Sequence, residues 1–477
     1  MQTQNLIGGE WTGAAGGVTF NVTNPANDEV IAKVPAGGPA EVRQAIDAAW
    51  KAWRPWAERP AAERGAFLAR LASFMRRDAD RLAALMTAEQ GKPLAEAKGE
   101  VAYAASFLEW SSEEAKRVYG DIVPASASDK RILVLRQPVG ITAIVTPWNF
   151  PAAMITRKLG PALAAGCPVV IKPAEDTPLS AIAIGELACE AGIPSGIVNI
   201  VTGKAAPIVD AMLDDDRVRK LSFTGSTEVG RILMAKASKH LLRLSLELGG
   251  HAPFLVFDDA DLDRAVDAAV ACKFRNAGQT CICANRFYVQ DGIFDEFCRR
   301  FAAASSKLKV GIGSAEGVQI GPLINGDAME KVEAHVADAL KHGGKVLTGG
   351  ERVRIAGAAD RFFAPTVIDG MTDTMRLSHE ETFGPVAPIQ RFSTEREAID
   401  KANHSEYGLA AYFFTQNAAR LMRVAEGLEY GIVGANDGGP STAQAPFGGV
   451  KHSGLGREGG RYAMDEYTEI KYVSWRL

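Results

Sequence analysis

The sequence predicts an α/β protein, with a doubly wound and mainly parallel sheet followed by a second α/β series. Three observations carry this. Short apolar runs recur from residue 130 onward, bounded by Gly, Pro or polar residues. Stretches with helical spacing lie between successive runs, as parallel βαβ units require. The pair Gly249-Gly250 then separates one such series from the next.

The elements follow in order. After a short β-like start, Val42, Ile46, Trp50 and Trp53 recur at helical spacing from Pro39. Phe67, Leu71, Phe74, Leu82, Leu85 and Met86 continue the pattern, so the first 115 residues read as mainly helical. Strands are expected at 130–136 (KRILVLR), 140–146 (GITAIVT), 168–172 (PVVIK), 197–202 (IVNIVT), 218–223 and 242–246. Helices at 156–165, 179–191, 205–213 and 227–238 alternate with them. In such open sheets, ligands bind beyond the carboxyl ends of the strands. After Gly250, DDADLDRA opens a helix with acidic residues in its first turn. Further strands are expected at 286–289, 345–348, 388–392, 411–415 and 431–433, and the tail TEIKYVSW alternates as an added strand would. There is no internal repeat and no low-complexity segment.

Composition narrows the class. The 477 residues are 47% hydrophobic and 23% charged, which is globular rather than disordered. That length predicts two or three domains. A net charge of −4 offers no basic face for nucleic acid. Six cysteines without paired CxxC motifs argue against a disulfide framework or structural zinc, so no metal is expected. The first ten residues lack a basic-then-apolar leader. The longest uncharged stretch, 139–156, is broken by Pro147, Asn149 and Pro151, which disfavours a membrane span. The expectation is a soluble cytoplasmic protein with no nucleic-acid or membrane partner.

Several residues have the chemistry of a site. Cys281 lies in FRNAGQTCIC. A cysteine is ordinarily an inert core residue, but this segment is polar, and Arg275 beside the thiol would favour the nucleophilic thiolate. Glu247 ends the apolar run LSLELGG, as a salt-bridged strand end or as a carboxylate with the raised pKa of a general base. TGSTEVG follows a strand and opens a helix, where a pyrophosphate would fit. Without a full GxGxxG it reads equally as a capped helix start. Lys172 and Glu175, in KPAE, sit where a ribose or phosphate would lie, or form a solvated surface pair. Asn149, in PWNFP, is either an oxyanion donor or an Asx-turn residue between prolines.

PWNFP, KPAE, FTGST, LELGG, GQTC, EETFGP and PFGGVKHSGLGRE occur in that order, and together they resemble the aldehyde dehydrogenase superfamily over the whole chain. KPAEDTP, ELGGHAPF, KFRNAGQTCIC and GLGREGG are most similar to its succinate-semialdehyde branch. The resemblance implies a Rossmann-like cofactor domain (1–117 and 139–249), a second α/β catalytic domain (250–440) and a small β oligomerisation module (118–138 and 455–477). It implies Cys281 as nucleophile, Glu247 as base and Asn149 in the oxyanion hole. It places the cofactor against Trp148, Lys172, Glu175, Gly225, Ser226, Gly230, Leu248, Glu381 and Phe383. NAD is favoured because the Glu175 carboxylate would repel a 2′-phosphate, and NADP is the alternative. Arg157, Arg275 and Ser441 match the branch's carboxylate-binding positions, with a surface arginine as the plain alternative for Arg157. The implied substrate is a short ω-semialdehyde acid, succinate semialdehyde first. Glutarate or 2-oxoglutarate semialdehyde, or a broad range of aldehydes, is the alternative. A non-catalytic protein on the same scaffold is disfavoured by the presence of Cys281 and Glu247. Cys283, two residues past the nucleophile, is either a redox partner for it or a pocket wall. A homodimer or homotetramer is implied.

Overall fold

The structure is a computed structural model and describes residues 2–477. Its first sheet has eight strands in the order Glu10–Thr12, Asn5–Ile7, Val198–Ile200, Val169–Lys172, Ile141–Val145, Val218–Thr224, Arg243–Glu247 and Gly454–Leu455. The middle five run parallel. They are apolar because both faces are covered, and all five residues of Ile141–Val145 are buried. From Ile141–Val145 the chain winds outward through Val169–Lys172 to Val198–Ile200. It then returns to the other side through Val218–Thr224. The strand order therefore reverses between Ile141–Val145 and Val218–Thr224, and the crevice at their carboxyl ends is the expected ligand site.

The second sheet has seven strands, ordered Lys345–Thr348, Thr366–Asp369, Val386–Phe392, Ala284–Gln290, Ala252–Val256, Ala410–Phe414 and Ile432–Ala435. Only its first pair is antiparallel. The crossing from one sheet to the other falls between Glu247 and Ala252. Two of its strands, Ala252–Val256 and Thr366–Asp369, were not expected. Pro253 argues against a central strand, but it sits at a register shift opposite Arg286, where a missing N–H is tolerated. A third sheet pairs Thr468–Arg476 with Lys130–Pro138 over nine residues and adds Asp121–Val123.

Four helices, Pro39–Ala57, Ala61–Arg77, Ala79–Gln90 and Leu94–Glu114, fill the early part of the chain. Val42 and Ile46 face the core, whereas Trp50 is 43% exposed, contrary to the helical-face reading. The helix expected from 156 begins at Ala153. The cause is remote: Glu100 accepts the N–H groups of Ala152 and Ala153, satisfying a helix start that the local sequence does not cap. Among the described residues no helix is long and apolar enough to cross a membrane.

Candidate active site

A cavity of about 370 Å³ opens where the strand order reverses. Trp148 and Asn149, just past Ile141–Val145, form one wall. Gly225 and Ser226, just past Val218–Thr224, form another. Ser226 caps the helix Thr227–Ala237 by accepting the Val229 N–H at 3.3 Å. The helix N-terminus thus meets the cavity, which suits an anionic group. Gly225 keeps that turn open, since a Cβ there would come within 2.4 Å of the Phe223 ring. Leu248, Glu381 and Phe383 complete this side, with Phe383 edge-on to Trp148 at 5.6 Å. Phe383 holds a left-handed φ of 54°, a strained backbone of the kind that accompanies sites. Glu381 accepts the Gly250 N–H at 3.1 Å. Burial pushes its carboxyl up to about 7.

Three expected residues lie off this wall. Gly230 packs under Leu248, whose methyl carbon a Cβ would meet at 2.5 Å. Lys172 and Glu175 form an ion pair of 2.6 Å outside the cavity. Only its Glu175 end is solvated: Lys172 is buried, and burial lowers its pKa. The other Glu175 oxygen accepts the N–H of Ala205, which begins the helix Ala205–Asp214. Conversely, Asn325, Asp327 and Lys331 line the cavity unannounced. Asn325 caps the helix Gly326–Lys341, so NGDAMEKVEAHV could have revealed the helix start but not what it faces.

Cys281 belongs to two cavities at once. It closes the one just described and also the floor of a second, of about 310 Å³. Arg157, Arg275 and Ser441 all line the second. Arg157 is 1% exposed and so is no surface arginine. Its Nε donates to Glu458, and its guanidinium lies 4.0 Å from the Phe447 ring centroid. Arg275 forms no ion pair within 4 Å among the described residues, although Glu96 of the same cavity lies within its electrostatic reach, and it stacks toward Phe150 at 5.3 Å. Ser441 hydrogen-bonds the Tyr103 hydroxyl. Tyr103, Glu96 and Phe150 also line the cavity, and sequence reasoning had singled out none of them.

The Cys281 loop is held by unusual backbone. Asn276, Ala277 and Gly278 are all left-handed, at φ 52°, 55° and 76°. Glu96 accepts the Asn276 N–H, and Asn149 Nδ2 donates to the Gln279 carbonyl at 3.0 Å. That leaves Asn149 a second N–H, while its Oδ1 is buried without a partner. Glu247 is 2% exposed, and neither of its oxygens has a partner. Burial first and the Glu458 anion second hold its carboxyl well above the usual range. The thiol departs from the expected thiolate. Burial pushes Cys281 up to about 12, and the lowering by Arg157 and then Arg275 does not offset it. Cys283 is buried with its Sγ 3.3 Å from the Lys273 carbonyl, and all six cysteines are free.

The match to the aldehyde dehydrogenase family model spans residues 11–473. The chain belongs to the aldehyde dehydrogenase family. This aldehyde dehydrogenase is 56% identical to a glutarate-semialdehyde dehydrogenase of Pseudomonas putida, covering 99% of this chain and 98% of that one. It is 55% identical to an NADP(+) succinate-semialdehyde dehydrogenase of Escherichia coli, with the same coverage. The crystal structure of succinate-semialdehyde dehydrogenase from Burkholderia pseudomallei superposes with a TM-score of 0.98 at 53% identity, covering 100% of this chain and 98% of that one. The protein is thus an NAD(P)-dependent oxidoreductase acting on aldehydes.

Proposed function

We propose that this dehydrogenase oxidises a short ω-semialdehyde acid, succinate semialdehyde or its five-carbon homologue, with Cys281 as nucleophile. One observation carries the reading: a single thiol joins two cavities, and one of them ends in an arginine that forms no ion pair. The substrate carboxylate pairs with the Arg275 fork, which suits carboxylate geometry. Arg157, its Nε already engaged by Glu458, and the Ser441 hydroxyl complete that end.

The residues of the chain then act in sequence. Glu247, buried with both oxygens unpartnered, accepts the Cys281 proton. The Sγ–carbon bond forms at the aldehyde, and the free N–H of Asn149 with the Cys281 backbone N–H receives the oxyanion. A nicotinamide cofactor in the switch-point cavity supplies the hydride acceptor. The cavity suits such a group, since it presents a helix N-terminus, an open glycine turn and paired aromatic rings. A thioester remains on Cys281. Having released that first proton to solvent, Glu247 takes a second from the water that cleaves the thioester and returns it to the departing Cys281 sulfur, and the acid leaves.

Glu175 favours NAD, because a carboxylate beside the adenine ribose repels a 2′-phosphate. The assignment of 1–117 and 139–249 to the cofactor, 250–440 to catalysis and 118–138 with 455–477 to assembly belongs to the same reading. Ile470, Tyr472 and Trp475 project 68%, 62% and 57% exposed from the third sheet, which supports pairing with a second copy as a dimer or tetramer. The P. putida relative's name favours glutarate semialdehyde as the second substrate reading. The test compares kcat/KM for succinate semialdehyde, glutarate semialdehyde and butanal, in native protein and Arg275→Gln. The acids should lead by tenfold or more in native protein and lose about 10–100-fold in the variant, while butanal is unchanged. Equal values for the three substrates would overturn the reading.

A further inference from the structure

Beneath the Cys281 loop lies a second buried ion pair that the mechanism above does not use. Lys92 and Glu100 are each 1% exposed at the side chain, with Nζ and Oε2 2.5 Å apart. Lys92 follows Gly91, whose φ of +92° ends the helix Ala79–Gln90, while Glu100 lies nearly two turns into the helix Leu94–Glu114. The pair is not a simple clamp between those helices. Lys92 Nζ also donates to the Asn149 backbone carbonyl at 2.7 Å and sits 4.0 Å from the Phe150 ring centroid. The other Glu100 oxygen accepts the Ala152 and Ala153 N–H groups at 3.0 and 3.2 Å. Every residue from Asn149 to Ala153 except Pro151 is therefore touched by one member of the pair. Asn276 Nδ2 reaches the same Asn149 carbonyl at 3.0 Å from the Cys281 loop.

A buried ion pair is a weak device for stability, since desolvation of both charges offsets most of the attraction. Well-packed apolar residues would hold these helices equally well. What an ammonium adds is direction: it fixes one carbonyl oxygen, and with it the plane of the Asn149–Phe150 peptide. The Asn149 side chain leaves the backbone at that peptide, so its free N–H is aimed by the same constraint. A displacement of about 1 Å in such a donor costs on the order of 100-fold in rate.

We propose that the Lys92–Glu100 pair is a positioning device for the reaction: it orients Asn149 toward the oxyanion and sets the start of the helix that carries Arg157. This rests on the oxyanion reading of Asn149. Glu100 also borders the second cavity, but the pair acts through Asn149 and not on the reacting atoms.

The test is a double variant, Lys92→Met with Glu100→Gln. It removes both charges together, so neither member of the pair is left as a lone buried ion, and keeps a carbonyl oxygen for the Ala152 and Ala153 N–H groups; Glu96, which also faces Lys92, keeps Arg275 as a neighbouring cation. Thermal unfolding should stay close to that of native protein. Turnover should nevertheless fall about 10–100-fold, with KM for the aldehyde and for the cofactor changed less than about threefold. Cofactor-free hydrolysis of a p-nitrophenyl ester at Cys281, which needs the thiol and oxyanion but no hydride acceptor, should fall by a similar factor. In an Asn149→Ala background the double substitution should have almost no further effect, because its target is gone. Native turnover in the double variant overturns the proposal, as does a full additional loss in the Asn149→Ala background. If the double variant unfolds, Lys92→Met alone, in which Glu100 still accepts the Ala152 and Ala153 N–H groups, carries the same comparison. Unchanged turnover in Asn149→Ala by itself overturns the oxyanion reading instead, so the two failures are distinct.

Discussion

Replacing Glu458 by glutamine changes one oxygen to an amide nitrogen, and the structure predicts two separate consequences. The carboxylate accepts from Arg157 Nε and from Lys158 Nζ, and the three side chains are 3%, 1% and 0% exposed. Lys158 reaches on to Thr224 Oγ1 at 2.6 Å, beside the helix-end turn of the switch-point cavity. With glutamine, two adjacent buried cations lose their only ion-pair partner within 4 Å. Breaking a buried pair from one side costs about 3–5 kcal/mol, and the urea midpoint should fall accordingly. The cations hold the Glu458 carboxyl below its ordinary value of 4.5, although burial opposes them. The stabilisation is therefore present above that pH and lost as pH falls through the lower folded value. The variant should lack this acid dependence. The second consequence concerns Glu247, whose carboxyl is raised by burial and next by the Glu458 anion. Removing that anion and exposing Glu247 to unpaired cations favours its ionised form. The acid limb of the pH–rate profile should move to lower pH. A stability loss under about 1 kcal/mol, or an acid limb that stays put or moves up, would refute this account of the cluster.

Three further outcomes follow from single residues. With its thiol pushed up to about 12, Cys281 in cofactor-free protein should be alkylated by iodoacetamide about tenfold faster per pH unit through pH 7–9. Mass spectrometry of the Cys281 peptide reads this apart from the exposed Cys189, and a plateau below pH 8 contradicts a thiol held neutral by burial. Gly278→Ala places a Cβ 2.2 Å from the Gly384 carbonyl at a φ of +76°. Strain and overlap together should cost about 2–4 kcal/mol in urea unfolding, and a variant as stable as native protein is the contrary result. Glu175→Ser removes the carboxylate proposed to repel a 2′-phosphate. The ratio of kcat/KM with NADP to that with NAD should rise at least about tenfold, and an unchanged ratio removes Glu175 from cofactor choice.

The α/β series was legible because its signals are local. Strands covered on both faces are written as continuous apolar runs, and IKPAE, FTGST and LELGG each mark the point where such a run ends. Where a local signal misled, a distant group had intervened. The helix at Ala153 starts early because Glu100 caps it, and Pro253 is accepted in a central strand at a register shift against Arg286. Tyr103 was invisible as a site residue because its partner Ser441 lies 338 positions away.

The sequence by itself determined which chemistry the chain carries: a thiol in a polar glycine-containing loop, a carboxylate at a strand end, and an amide and a helix start at neighbouring strand ends. Residue identity and short-range spacing suffice for that. Tertiary structure alone decided the state of those groups. It showed Cys281 shared between two cavities, Arg157 tied to Glu458 301 residues on, and a thiol pushed up by desolvation rather than lowered by its neighbouring cations. Proximity of Arg275 in sequence predicted a thiolate, but protonation depends on the whole surrounding volume. Desolvation at the enclosed, half-buried Cys281 outweighs two neighbouring cations there, and only the folded chain creates that volume.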